Sequence, residues 1–398
     1  MVDEPDAGTD AFIRDGATVL SYGALGAYAF WLYAFGPALA LRRAELHFSY
    51  AVVGVYSAAW AAGAAVVGLC FAWICRAAGR RSVLWGSALA AIAGAALFTV
   101  TRSVALTLAG AAILGLAGTM VQTDTQSVLS DRHGRRRDQA LLEANIGAGA
   151  CAVVAPLCLG FLQATPATWR SAMALPAVAL VVLYLVYRRQ RLPAPPAGPA
   201  GPAAGRRPAR LSVACWLLAW LVAIGIGIEF CIVYFGAELL TATGLSTAAG
   251  ATAMALFYAG ILAGRVGAGV LARQPGRSAR LLWASLAVTA AGFGIFWLSR
   301  PAVIALCGLL VTGLGVASLF PVSLSLTLAA APQHTDAANA RTQLLGGLVV
   351  ITAPFLLGGL ADRIGLPAAF GVVPFLIALS ALLLLAGQAA SKCRRPAD

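Results

Sequence analysis

Apolar residues run in long stretches along almost the whole chain, and short polar segments separate them. Most of the stretches reach the roughly 20 residues that a helix needs to cross a bilayer. Backbone groups in hydrocarbon must satisfy their own hydrogen bonds, so we predict that each stretch is a helix. Twelve stretches qualify: 17–40, 48–73, 82–101, 103–130, 140–163, 171–187, 212–237, 247–272, 279–299, 301–331, 342–361 and 366–387.

The segment 188–211 interrupts this pattern near the middle of the chain. It reads RRQRLPAPPAGPAGPAAGRRPARL, with six arginines among Pro, Gly and Ala. That composition is typical of a solvated, semi-extended linker. We therefore predict two six-helix halves, with the domains 1–16 (tail), 17–187 (first bundle), 188–211 (linker), 212–387 (second bundle) and 388–398 (tail).

Composition excludes a soluble protein. Hydrophobic residues make up 60% of the chain and charged residues only 11%, whereas soluble domains average about 25% charged residues. A net charge of +13 can indicate nucleic-acid binding, but here the basic residues fall in short loops. With the N-terminus inside, 21 of the 28 Lys and Arg residues lie on the inner side. This asymmetry predicts a multi-pass protein of the cytoplasmic (cell inner) membrane, with both termini cytoplasmic.

Motifs for catalysis or cofactor binding do not appear in the sequence. There is no glycine-rich phosphate loop, no HExxH and no GxSxG. The eight cysteines form no CxxC pair or Cys/His cluster, and His47, His133 and His334 are scattered over loops. We predict no enzyme activity, metal or cofactor, and no nucleic-acid partner.

The two halves repeat one another at a nearly constant offset. A repeat of this kind, with both copies in the same order, is typical of parallel repeats related by an axis along the membrane normal. The clearest pairs are Gly79-Arg80 with Gly276-Arg277, Pro156 with Pro354, Gly160 with Gly358, and Gly110 with Gly308.

The loop after the second predicted helix carries a family signature. The chain has Arg76, Gly79, Arg80 and Arg81 where the pattern G-x-x-x-D-R-x-G-R-R is expected, and an arginine replaces the acid. With the twelve spans and the basic linker, this segment resembles the major facilitator superfamily. The segment 257–265 and Gly227–Glu229 loosely resemble the fucose-permease-type branch. The resemblance implies that both loop copies, Gly79, Arg80, Arg81 and Gly276, Arg277, act in gating.

The resemblance also implies a function. We expect a monomeric secondary transporter in the bilayer. Its two bundles would rock about a small organic solute, and transport would be coupled to protons. Two alternatives stay open: a drug or metabolite efflux antiporter, and a membrane sensor that kept the fold and lost transport. The arginine that drug/proton antiporters carry in helix 4 would fall near Ala111 and is absent. A polytopic enzyme would need a polar catalytic cluster at one membrane face, and none is apparent.

Glu229 is the foremost candidate for the transport site. An ionisable residue inside a span costs several kcal/mol, so it needs a reason to be there. By resemblance, helices 1, 4, 7 and 10 line the central cavity, and Glu229 lies in helix 7. Burial disfavours the charged form of a carboxylate, which suits a proton carrier or a ligand for a polar solute. A structural glutamate bonded to a neighbouring helix is the alternative.

Other polar residues give weaker candidates. Asp124 lies near the cytoplasmic mouth as a second proton site, a gate partner or a hydrogen-bonded helix-end acid, with Gln122 and Gln126 expected to form a polar cluster around it. Tyr28 and Trp31 of helix 1 either stack on a substrate or serve as packing residues. Asn145 and Gln343 occupy equivalent positions in the two repeats.

Arg265 suggests an inner gate. Counting along helix 8 places it towards the cytoplasm, so we expect it not to touch Glu229. Helix 8 packs on helix 5 in the resembled family, and this makes Glu143 the better partner. We hypothesise a Glu143–Arg265 bridge that forms when the site faces outward and breaks when it faces inward. A permanent structural bridge and a clamp for a substrate carboxylate are the alternatives.

Overall fold

The computed structural model describes residues 12–194, 211–271 and 278–392. Within these ranges every regular element is helical, and twelve helical spans are long and apolar enough to cross a membrane. The predicted all-α, twelve-span fold is confirmed. The basic second loop copy, Gly276 and Arg277, and most of the linker lie outside the described residues.

Six long helices make up the first half of the chain. A single 3₁₀ turn, Gly134–Arg136, joins the fourth helix to the fifth. The helices are α1 Gly16–Leu46, α2 Tyr50–Ala78, α3 Arg80–Val100, α4 Val104–His133, α5 Arg137–Gln163 and α6 Thr168–Tyr187.

The second half has six spans built from eight helices. The predicted tenth span is broken at residues 317–318, four residues before Pro321, because proline has no N–H to bond the carbonyl of residue 317. The helices are α7 Val213–Thr241, α8 Thr247–Leu271, α9 Ser278–Leu298, α10 Ala302–Val316, α11 Leu319–Ala329, α12 Thr335–Ile364, α13 Leu366–Ala369 and α14 Val372–Lys392.

Successive spans alternate in direction, so the molecule has two distinct ends. The linker end holds the start of α1, the end of α6, the start of α7 and the end of α14. The far end holds the turns after α1, α3, α5, α7 and α9. The cytoplasmic placement of the linker end stays a prediction.

Glycines at repeat positions let helices touch backbone to backbone. A Cβ on Gly110 of α4 would strike the backbone at Phe98 of α3, and a Cβ on Gly308 of α10 would strike the backbone at Phe296 of α9. Both members of the second pair lie 198 residues after those of the first. The sequence repeat therefore corresponds to the same helix contact made in each bundle.

The two bundles meet along two equivalent pairs of helices, α2 with α12 and α5 with α8. Gly358 of α12 packs on the backbone of Tyr50, and Gly160 of α5 packs on Thr252 of α8. These glycines are one of the repeat pairs found in the sequence. The symmetric contacts let the bundles approach closely near the far end.

Cross-bundle contact is concentrated at the far end and in the middle of the molecule. There, Ser57 also donates a hydrogen bond to the Val350 carbonyl across the bundle boundary, at 3.3 Å. At the linker end, Leu142 of α5 and Leu344 of α12 are 63% and 69% exposed. The ion pairs Arg14–Glu143, Arg80–Asp131 and Arg132–Asp15 at that end lie within the first bundle. The cross-bundle contacts described above thus join the bundles at the far end and in the middle of the molecule.

Adjacent glycines of α12 offer a matched test of this packing. A Cβ at Gly358 would overlap the Tyr50 carbonyl, while a Cβ at Gly359 would meet nothing within 4 Å. We predict that Gly358→Ala destabilises the closed far end by about 1–3 kcal/mol, the usual cost of overpacking. Thermal unfolding in detergent measures it. Gly359→Ala should leave the melting temperature unchanged or slightly raised, and an equal loss in both variants would contradict the interpretation.

Candidate functional site

Four side chains from three helices meet near the middle of the bundle interface. Glu229 comes from α7, Tyr258 and Arg265 from α8, and Tyr33 from α1 of the other bundle. Tyr33 interacts electrostatically with both Glu229 and Arg265, and Tyr258 interacts with Glu229 and Tyr33. We call these four residues the central cluster.

Glu229 and Arg265 attract one another without forming a salt bridge. Their interaction is electrostatic, but no nitrogen–oxygen pair of these two described residues comes within 4.0 Å. Sequence counting placed Arg265 well below Glu229 and expected no touch. No ion pair joins these two described residues, but they do interact electrostatically.

Aromatic rings surround the charged pair. The rings of Tyr33 and Tyr258 lie edge to face, 4.9 Å between centroids, and join the two bundles. Phe230 and Tyr234 of α7 lie beside them, 6.0 Å apart. The Tyr258 hydroxyl is buried and has no hydrogen-bond partner in the described chain. The cluster thus combines two opposite charges, apolar ring faces and a free hydroxyl.

A second charged group closes the far end. Arg43 of α1 donates a hydrogen bond to Glu238 of α7 at 3.0 Å, across the bundle boundary. Glu238 is only 6% exposed, and the Arg43 guanidinium also lies over the Tyr50 ring, 3.6 Å from its centroid. We call Arg43, Tyr50 and Glu238 the far-end lock.

Asp362 adds a third polar contact between the bundles. Its carboxylate oxygens accept the backbone N–H groups of Tyr50 and Ala51 at 2.7 and 2.8 Å. Those are the first residues of α2, whose N–H groups have no partner within the helix. A residue of the second bundle thus caps a helix of the first.

Asp124 does not face the central cluster. It is fully buried inside the first bundle, where Arg80 Nη1 lies 3.6 Å from its Oδ1 and the Cys75 thiol contacts the same oxygen at 3.8 Å. Arg80 also pairs with Asp131. Asp124 is therefore the partner of Arg80 in this conformation, and a role of either residue in gating or proton transfer stays a prediction. The expected polar cluster with Gln122 and Gln126 does not form, since positions two apart on a helix point to different faces.

Glu143 pairs with Arg14 in this conformation. Arg14 donates two hydrogen bonds to its carboxylate, at 2.9 and 2.7 Å, and Tyr22 and Gln139 donate two more. No contact with Arg265 is seen between these two described residues. The proposed Glu143–Arg265 gate would require Glu143 to exchange Arg14 for Arg265 in the other state, and it stays a prediction.

The segment before α1 is fastened to the start of α5 and the end of α4. Asp15 caps α1 through Thr18 and pairs with Arg132 at 2.6 Å. Partial burial acts to raise the pKa of Asp15, but hydrogen bonds from Thr18 and Arg132 outweigh it and hold that pKa below its usual range. The contact is thus present at neutral pH and is lost only as the pH falls through this lowered pKa.

The remaining predicted residues lie apart from the central cluster. Trp31 is buried and donates to the Met173 carbonyl at 2.8 Å, and the hydroxyl of buried Tyr28 lies 3.4 Å from that of Thr119; these contacts favour the packing alternative. Asn145 is exposed and bonds its own helix, and Gln343 is exposed. Gly79 joins α2 to α3 with φ +76°, which favours glycine, and Arg81 is exposed. Gly276 and Arg277 lie outside the described residues.

Sequence reasoning missed Tyr33, Tyr258, Arg43, Glu238 and Asp362. Tyr258 lies in the segment compared with the fucose-permease-type branch, and its spacing of seven from Arg265 places both on one helix face. Glu238 lay one residue beyond the predicted end of its span and so was not considered as a charge inside the membrane. The partners of Arg43 and Asp362 are in the other bundle, and nothing in the sequence pairs them.

Two further cavities lie away from this region. One, of about 570 Å³, is lined by α9 and α14, and the other, of about 530 Å³, by α1, α5 and α6. Neither has a charged side chain in its lining. Among the described residues, no group of three or more His, Cys, Asp or Glu side chains could hold a metal ion.

The model of the Major Facilitator Superfamily matches residues 20–340. The chain belongs to the Major Facilitator Superfamily. A comparison with curated protein sequences gives no match. Family membership and the twelve-helix fold together support a membrane transporter, as the sequence resemblance predicted.

Solved structures of this superfamily share the fold. A bacterial homologue of the human lysosomal transporter Spinster, in an inward-facing and unoccupied conformation, is 13% identical, with a TM-score of 0.72 and coverage of 99% of this chain and 100% of that one. The nucleoside transporter NupG is 12% identical, with a TM-score of 0.70 and coverage of 96% and 99%. A proton-dependent oligopeptide transporter is 14% identical, with a TM-score of 0.73 and coverage of 95% and 99%. At these identities the likeness shows the fold alone.

The Arg43–Glu238 pair of the far-end lock can be tested by mutation. Glu238→Gln removes the charge that pairs with Arg43, and we expect it to destabilise the closed far end by about 1–3 kcal/mol, the cost of leaving a partly buried charge without its partner. Amide hydrogen exchange should then rise in the turns 47–49 and 242–246.

Glu45→Gln is the matched control. Glu45 lies at the same end but pairs with Arg170 and Arg42 inside the first bundle. Its loss should raise exchange around its own contacts and leave the 242–246 turn unchanged. Equal exchange in that turn for both variants would show that the Arg43–Glu238 pair does not hold the bundles together.

Proposed function

We propose that the chain is a secondary active transporter that moves a small organic solute across the cytoplasmic membrane by rocker-switch alternating access. Contacts such as Arg43–Glu238 and Gly358–Tyr50 join the bundles at the far end, so in our proposal a solute reaches the central cluster from the linker side. The predicted cytoplasmic position of the linker would make this an inward-facing state. Membership of the superfamily supports the same mechanism.

One observation carries this proposal: no salt bridge or hydrogen bond of Glu229 is seen among the described residues, although its side chain is half-buried within the protein. A charge left unpaired inside a membrane protein is costly, and such residues face cavities on the path of a solute or ion. Tyr33 of the opposite bundle contacts the same region. Movement of one bundle against the other would therefore change the surroundings of Glu229.

Glu229 is also our candidate for proton coupling. Its carboxylate can take up a proton when the cavity is dry and release it when water enters, because burial disfavours the ionised form. Asp124 is a poorer candidate for proton coupling than the sequence suggested, because it pairs with Arg80 inside the first bundle.

Liposomes test this proposal. The protein is reconstituted with a pH-sensitive dye trapped inside, and sugars, amino acids, organic acids and amphipathic cations are added in turn. We expect at least one class to change the lumenal pH, and Glu229→Gln to reduce that solute-driven proton movement at least tenfold. Glu45→Gln, the same substitution at a far-end residue away from the central cluster, should retain this proton movement. Thermal unfolding checks that the variant has folded.

Two results would contradict the proposal. If no solute class crosses the membrane with the wild-type protein, transport of these classes is refuted. The result would then favour the alternative of a membrane sensor that has lost transport. If a solute crosses and Glu229→Gln leaves both its accumulation and the accompanying proton movement unchanged, then Glu229 does not couple the two.

A further inference from the structure

The central cluster holds two opposite charges that form no salt bridge with one another, and Arg265 also interacts with the Tyr33 hydroxyl. Glu229 and Arg265 attract each other electrostatically, and no salt bridge within 4.0 Å joins these described residues. Arg265 is exposed and Glu229 is partly exposed, so both reach open space within the bundle interface. The two opposite charges are therefore separated, and neither side chain is fully enclosed by protein.

The charge pattern limits what can bind between these two charges. A cation that approaches Glu229 is repelled by Arg265, and an anion that approaches Arg265 is repelled by Glu229. A neutral solute leaves both charges without a counter-ion in a region of low dielectric constant, which is costly. A single molecule with separate positive and negative groups satisfies both residues at once.

The surrounding groups add an apolar requirement. Tyr33 and Tyr258 present ring faces and edges beside the charged pair, and Phe230 and Tyr234 extend this aromatic lining. Such rings favour an aliphatic or aromatic part and also attract an ammonium group. The buried Tyr258 hydroxyl, which has no partner in the described chain, can donate one hydrogen bond to an acceptor on the solute.

We propose that the central cluster binds an amino-acid-like zwitterion, with the ammonium group at Glu229 and the carboxylate at Arg265. Tyr258 would donate to the same carboxylate, and Tyr33 would bring the opposite bundle into contact with the bound molecule. This inference rests on the proposed transport function and names the class of its solute. It makes Arg265 a binding residue instead of a gate residue.

Binding measurements with matched analogues test the inference. L-phenylalanine serves as the zwitterion, its amide as the cation and its N-acetyl derivative as the anion, with leucine, γ-aminobutyrate and a dipeptide added to vary side chain and charge separation. Dissociation constants are measured on the whole purified chain in detergent. We expect at least one zwitterion to bind at least tenfold more tightly than its cationic and anionic analogues.

Two variants assign the charges separately. In Glu229→Gln, the advantage of the zwitterion over its anionic analogue should fall to less than about threefold. In Arg265→Gln, its advantage over the cationic analogue should fall in the same way. Arg341→Gln removes an arginine that lies over the Trp216 ring, away from the cluster, and should leave both preferences unchanged. Thermal unfolding of each variant checks that it has folded.

Each result has a definite meaning. Loss of affinity for all three analogues by the same factor would show a structural role and overturn the inference. Failure of every zwitterion to bind, whether or not another solute class binds or crosses, would overturn it too and leave transport to be judged by the liposome assay. Charge-selective binding without flux in liposomes would instead refute transport and leave the zwitterion site standing.

Discussion

Close backbone contact between helices is the interaction on which this molecule depends. Helices in lipid gain little from burying apolar side chains against one another, so packing of small residues carries much of their association. Glycines supply this contact inside each bundle, as at Gly110 and Gly308, and between the bundles, as at Gly160 and Gly358. The contacts within a bundle build a rigid body. Those between bundles are fewer and lie towards the far end, so they can separate while each bundle stays intact.

The polar contacts follow the same two helices, α1 and α7. Helix α7 carries Glu229 in the central cluster and Glu238 in the far-end lock, nine residues apart or roughly 14 Å along the axis. Helix α1 carries Tyr33 and Arg43 at a similar spacing. A bound molecule that draws Tyr33 and Glu229 together thus acts on the very helices whose outer ends are joined by Arg43 and Glu238. Helices α1 and α7 each run directly from the central cluster to the far-end lock, so movement at one can be transmitted to the other along these two helices.

The sequence was enough for the spans, the repeat and the family, because each depends on local hydrophobicity or on residues at a fixed spacing. The expectation that Glu229 lies in the central cavity came from the family resemblance. The sequence was not enough for the partners of the charged residues. Arg265 was assigned to Glu143 by its height along the helix and by the resemblance, whereas in this structure it interacts with Glu229 and Tyr33. Asp124 was expected to point towards Gln122 and Gln126, whereas its helix face turns it inward to Arg80. The contact partners of Glu238 and Asp362 lie roughly 195 and 310 positions away in the sequence, and a local sequence pattern cannot predict contacts over such separations.

The start of α2 has two caps, one from each bundle. Ser49 precedes the helix and accepts from the Val52 N–H at 3.4 Å, while Asp362 of α12 accepts from Tyr50 and Ala51. When the bundles part, Asp362 is withdrawn and water can reach the N–H groups it served, but Ser49 moves with the helix and still holds its first turn. Because Ser49 still caps it, α2 can separate from α12 without unwinding its first turn. The far end can therefore open with both helices intact.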